Sequence, residues 1–98
     1  MNDLEPDLIA SLRLYSTHES GRTAPIRGVV RCPSASSKVP GTMMHSVQFL
    51  LGDQLLHPGE QQELGFRFLT EEGAALMRAA GTFYLWDGQF FAEATIVE

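Results

Sequence analysis

Three histidines, one cysteine, a serine-rich stretch and a pair of adjacent glutamates are the residues of this chain whose types could do chemistry. His18, His45 and His57 lack metal-ligand spacing, and with Cys32 as the only cysteine no zinc site can be assembled. Cys32 would act as a nucleophile only with a base held beside it. His18 or His45 would have to supply that base, and nothing in the sequence brings either one there. A small buried thiol is the expectation. Glu71 and Glu72 are neighbours, so on a helix they diverge and suit the helix dipole better than paired acid/base work. Ser34, Ser36 and Ser37 lack the glycine pattern of a nucleophile elbow. The expectation is a protein that is not an enzyme and uses neither a metal nor a cofactor.

Binding chemistry is better represented. Arg13, Arg22, Arg27 and Arg31 fall in the first third, which carries Glu19 as its only acid between Leu8 and Lys38. From Val39 onward eight carboxylates face only Arg67 and Arg78, and the net charge is −5. That balance argues against holding nucleic acid by bulk electrostatics, but a local arginine cluster remains able to track phosphates. The second feature is aromatic. Thr82 to Val97 sets Phe-Tyr-Leu-Trp and Phe-Phe-Ala on either side of Asp87-Gly88, a strong hairpin signal. A two-residue turn there pairs Trp86 with Gln89, Leu85 with Phe90 and Tyr84 with Phe91. Side chains alternate along strands, so Phe83, Leu85, Phe90, Ala92, Ala94 and Ile96 form a dry face. Tyr84, Trp86 and Phe91 then stand on the wet face as a patch of interface-type residues, with Asp87 at the tip.

The elements that must position these groups are short strands. Leu8 to Tyr15 alternates with period two, Leu8, Ala10, Leu12 and Leu14 facing in. Met1 to Asp7 reads as a frayed lead-in, and 8–98 as one domain. Thr17 to Pro25 is a polar loop. Ile26 to Cys32 is a second strand with Gly28 marking a bulge or close approach, and Pro33 to Gly41 is a loop by composition. Met43 to Leu51 is extended, with turns at Gly52-Asp53 and Pro58-Gly59. Gln62 to Leu69 alternates again, Leu64, Phe66 and Phe68 facing in. Thr70 to Gly81 is the one helical segment, capped by Thr70, with acids in its first turn and Gly81 at its end. Together these predict an all-β antiparallel barrel of six or seven strands with one short helical insertion. Nothing at the start reads as a signal peptide and no run is long enough to cross a bilayer, so a cytoplasmic protein that does not contact membranes is expected.

The order of motifs resembles the third domain of elongation factor Tu, a small antiparallel β-barrel, over roughly residues 8–98. Ala10 to Ser16, a polar loop, and Gly21-Arg22-Thr23-Ala24-Pro25 are similar to that domain's first strand and its Gly-Arg-His-Thr-Pro loop. Gly41-Thr42 matches a Gly-Thr pair, Leu56-His57-Pro58-Gly59-Glu60 resembles a Met-Pro-Gly-Asp turn, and Gly81 to Val97 is similar to the closing hairpin. In the family this domain helps hold the T stem of aminoacyl-tRNA and touches the exchange factor and the GTPase domain. Arg31-Cys32-Pro33 stands where the family has Arg-Pro-Gln, without the glutamine. Asp87-Gly88 stands for its Glu-Gly-Gly turn, one residue shorter. The sequence has no phosphate-loop motif, so no GTP binding by this chain alone is expected.

The function expected from all this is a non-catalytic binding module related to translation. It would contact a protein partner, or a second copy of itself, through Tyr84, Trp86, Asp87 and Phe91. The alternative is a tRNA- or RNA-binding accessory domain that uses Arg13, Arg22, Arg27 and Arg31, with Trp86 or Tyr84 stacking on a base.

Overall fold

A computed structural model describes residues 5–97 of the chain. Six strands close into an antiparallel barrel: β1 (Leu8–Leu14), β2 (Val29–Ala35), β3 (His45–Leu50), β4 (Gln61–Phe68), β5 (Thr82–Trp86) and β6 (Phe90–Ile96). Around the barrel the order is β1-β4-β3-β2-β5-β6, with β6 pairing back onto β1. A four-residue helix α1 (Thr17–Ser20) follows β1, and a ten-residue helix α2 (Glu71–Ala80) joins β4 to β5. The fold is therefore the expected barrel with six strands and a second, very short helix.

Period-two patterning fills the core. Leu8, Ala10, Leu12 and Leu14 of β1, Leu64, Phe66 and Phe68 of β4, Val47 and Phe49 of β3, and Phe83 and Leu85 of β5 all turn inward and are buried. Phe66 sits at the centre, its ring 5.1 Å from Phe49 and edge-on to Phe83 at 5.3 Å. Such packing contributes beyond simple area burial because the ring edge meets the facing π cloud. Helix α2 begins as its sequence predicts, with Thr70 Oγ1 accepting from the Gly73 N–H at 3.0 Å, and closes on Gly81. Met77 anchors it, fully buried.

Three local expectations are corrected. Of the lead-in, residues 1–4 lie outside the described residues, but Asp7 is firmly tied rather than frayed. Its N–H donates to Phe66 O at 2.8 Å, and its carboxylate accepts from the Phe68 N–H at 2.7 Å. Strand β2 runs from 29 to 35 instead of 26 to 32, so Pro33, Ser34 and Ala35 are strand residues and not loop. Ser34 is fully buried and donates its hydroxyl to His45 O at 2.7 Å. Pro33 is tolerated because backbone bonding alternates sides: Gly28 O, accepting from Leu51 N–H, fixes the even residues of β2 toward β3. The missing N–H of Pro33 therefore faces away from β3, where β2 and β5 have not yet paired.

The third correction concerns the closing hairpin. Phe83 pairs with Ala94, Tyr84 with Glu93 and Leu85 with Ala92, but Trp86 pairs with Phe90, so the register shifts between Leu85 and Trp86. A type I′ turn needs positive φ at both central residues, and only Gly88 has it, at 75°. The connection instead holds three residues, Asp87, Gly88 and Gln89, with the Asp87 N–H donating to Gln89 O at 2.9 Å. The irregularity in β6 turns Phe91 inward, 3 % exposed, and leaves Phe90 on the outer face.

Candidate functional site

The outer face of β5 and β6 carries Tyr84 and Trp86 from one strand and Phe90 and Glu93 from the other, each half-buried. Phe90 is the hub: its ring meets Trp86 edge-on at 4.9 Å and Tyr84 at 6.2 Å. Of the residues expected here, Tyr84 and Trp86 are brought together and Phe91 is not. Phe91 faces the interior, and Phe90 takes its place in the cluster.

Around the rings lies a border of charge. Strand β2 ends beside β5, with Ala35 opposite Tyr84, so the following loop starts at the hairpin's outer surface. Lys38 from that loop sets its Nζ 4.5 Å from the Tyr15 ring centroid, 5.2 Å from Tyr84 and 5.8 Å from Phe90. The Tyr15 hydroxyl donates to Glu93 Oε1 at 3.0 Å, and the Arg13 guanidinium lies 4.9 Å over the same ring. Burial, reinforced by the hydrogen bond to Glu93, pushes the Tyr15 phenol well above its ordinary value. Arg13 also makes two hydrogen bonds to Glu19, at 2.9 and 3.1 Å. That fork, helped by the Ser16 N–H, holds the Glu19 carboxyl down at about 2.

The hairpin tip is tied down in the same way. Arg22 donates to Asp87 Oδ2 at 2.9 Å and to Asp87 O at 3.0 Å, with its guanidinium 4.8 Å over the Phe91 ring. Asp87 still leaves most of its side chain in solvent, 69 % exposed. Beyond Ser34 toward Val29, β2 and β5 part, and a hollow of about 310 Å³ opens between Trp86, Asp87, Phe91, Val30 and Cys32. The Cys32 thiol is buried, and burial, with Asp87 adding its charge, pushes it up to about 12. A small buried thiol is what the sequence leads one to expect.

The arginines expected to act together do not form one surface. Arg13 and Arg22 are committed to carboxylates. Arg31 lies on β2, directly across from Gln48 on β3, which in turn faces Arg67 on β4. Arg31 Nε donates to Gln48 Oε1 at 3.0 Å, and neither Arg31 nor Arg67 pairs with a carboxylate among the described residues. A groove of about 680 Å³ runs along this row, between Pro33, Ser46 and Leu69. Arg27 precedes β2 and is exposed. Among the described residues no three His, Cys, Asp or Glu side chains meet as metal ligands, and no helix is long and apolar enough to cross a membrane.

No protein-family model matches the chain, and no curated protein matches it. Its architecture is that of a small closed six-stranded antiparallel barrel.

Sequence reasoning missed Phe90, Lys38, Tyr15 and Arg67. Phe90 and Phe91 are adjacent, so a single inserted residue exchanges their faces. Lys38 carries no periodic signal in its serine-rich loop, and only the neighbouring of β2 and β5 brings it to the rings. Tyr15 alternates with the inward leucines and reads as outward, yet it is covered by Lys38 and Arg13. Arg67 becomes a partner of Arg31 only once β3 is known to lie between β2 and β4.

Proposed function

We propose that this barrel is a non-catalytic binding module that makes protein–protein contacts through the outer face of its closing hairpin, with Tyr84, Trp86 and Phe90 as anchors and Asp87 at the tip. The observation that carries the reading is the edge-to-face cluster of these rings on the outside of a barrel whose core is already filled by other residues. Tyr and Trp are favoured interface anchors because each brings a large, stiff apolar surface with a polar handle. The net charge of −5 suits a basic segment as the partner, with complementarity acting chiefly on encounter and register. The motif order that resembles the third domain of elongation factor Tu supports a place for the module in translation. Peptides that are lysine- and arginine-rich, neutral or acidic, probed with the wild-type protein and with Trp86→Ala, test this reading alongside light scattering of both proteins. Binding of basic peptides that Trp86→Ala abolishes supports it. A dimer that the same substitution dissociates identifies a second copy as the partner, through a self-complementary contact. Identical behaviour of the two proteins in both assays refutes it.

A second reading, RNA binding, is favoured by the row Arg31–Gln48–Arg67 beside its groove. Arg13 and Arg22 drop out of that reading because their charges are already met. It predicts retention on RNA that weakens steeply with salt. Arg31→Ala with Arg67→Ala should then flatten the log–log salt slope on single-stranded RNA by about 0.7 for each phosphate no longer neutralised.

A further inference from the structure

Lys38 is the only lysine in the chain, and its ammonium group has no carboxylate partner among the described residues. Its neighbours are the three ring faces of Tyr15, Tyr84 and Phe90, at 4.5 to 5.8 Å. The polar bonds of its loop are internal to the loop: Ser37 Oγ to Thr42 Oγ1 at 3.0 Å, Val39 N–H to Ser37 Oγ at 3.0 Å, and Thr42 Oγ1 to Val39 O at 2.7 Å. None of them ties the loop to the hairpin. Glu93, opposite Tyr84 on the hairpin, accepts from the Tyr15 hydroxyl at 3.0 Å and pairs with Arg13 at 3.5 Å, so its charge is already met. Convergent aromatic faces are a general solution to binding ammonium and guanidinium groups.

We propose that Tyr15, Tyr84 and Phe90 form a cation-binding cage, which Lys38 fills in the free protein and which a lysine or arginine side chain of the partner takes over. The inference rests on the reading of the hairpin as a docking face, and supplies the chemistry of what docks there. Lys38 is suited to give way. Each exposed cation–π contact amounts to roughly a two- to five-fold preference, so two or three rings hold the tether by about tenfold. An internal occupant held that weakly lowers the apparent affinity of an outside cation by the same factor. The device makes the cage selective: a partner must bring both a cation and enough surrounding contact to displace Lys38.

The test titrates wild-type protein, Lys38→Ala and the double variant Lys38→Ala with Tyr84→Ala against choline and against its neutral isostere 3,3-dimethyl-1-butanol. Ring-proton NMR signals of Tyr15, Tyr84 and Phe90 provide the readout, with Trp86 fluorescence as a second probe. Lys38→Ala should bind choline roughly tenfold more tightly than wild type, discriminate against the isostere, and lose the effect when Tyr84 is also removed. Should Lys38→Ala disturb the loop, Lys38→Gln keeps the stem without the charge and gives the same comparison. A folded Lys38 variant that ignores choline, or that binds the isostere equally well, overturns the cage. Basic peptides that bind through Trp86 while choline is ignored would remove the cage and leave the docking face standing. Choline bound in the absence of any peptide binding would remove the docking face and keep the cage.

Discussion

Phe90 and Phe91 are chemically identical neighbours with opposite environments, which makes them a sharp test of the hairpin register. Phe91 is 3 % exposed and faces the interior, under the Arg22 guanidinium. Removing it as Phe91→Ala loses a whole buried ring from the core cluster. Large-to-small substitutions of this kind cost about 3–5 kcal/mol. Phe90 is half-buried and gives up its edge-on packing against Trp86 and Tyr84 and its distant contact with the Lys38 ammonium, so Phe90→Ala should cost about 1 kcal/mol. In urea, with a slope of roughly 1–1.5 kcal/mol per M for a domain this small, the two midpoints should differ by about 2 M. Where Phe91→Ala is too unstable to measure, Phe91→Leu keeps the comparison at a smaller cost. Equal losses, or a larger loss for Phe90→Ala, would mean that the turn holds two residues and that Phe91 stands outside.

Further outcomes follow from the caps and the shifted groups. Thr70→Ala should cost about 1 kcal/mol by the same urea measurement, with Thr70→Asn restoring most of it, because the Gly73 N–H loses its acceptor. The Glu19 carboxyl, held at about 2 against an ordinary 4.5, contributes stability that is fully present above pH 4.5 and is lost as pH falls toward 2. An NMR titration of Arg13→Ala should move it back toward its ordinary value without reaching it, because the Ser16 N–H still donates to the carboxylate at 2.8 Å. Cys32, pushed from 9.0 to about 12, has the opposite sign: its contribution is full below pH 9 and is lost as pH rises. At pH 8 its thiolate fraction should be lowered roughly a thousandfold, so a thiol reagent should react only when urea unfolds the chain. Prompt reaction in the native protein would contradict its burial.

The alternating runs Leu8–Leu14 and Leu64–Phe68 and the capped helix at Thr70 are legible in the sequence because their signals are local and each agrees with the barrel. Strand β2 departs from its expected span because composition marks Pro33-Ser34-Ala35 as loop. Only the unpaired side of β2 makes the proline harmless there, and that depends on where β5 lies. The inserted residue in the hairpin escapes the pattern because Phe-Phe reads equally well in either register. The site is the least legible part, since it is assembled by neighbours distant in sequence: Lys38 over Tyr15, Tyr84 and Phe90, and Arg31 across Gln48 from Arg67.

The most direct measurement is an amide and indole chemical-shift map of the isotope-labelled protein titrated with a lysine-rich peptide. The account predicts saturable shifts centred on Tyr84, Trp86 and Phe90, with the Trp86 indole N–H among the largest and Lys38 moving with them. Shifts confined to Arg31, Gln48 and Arg67, or none at all at saturating peptide, would contradict it.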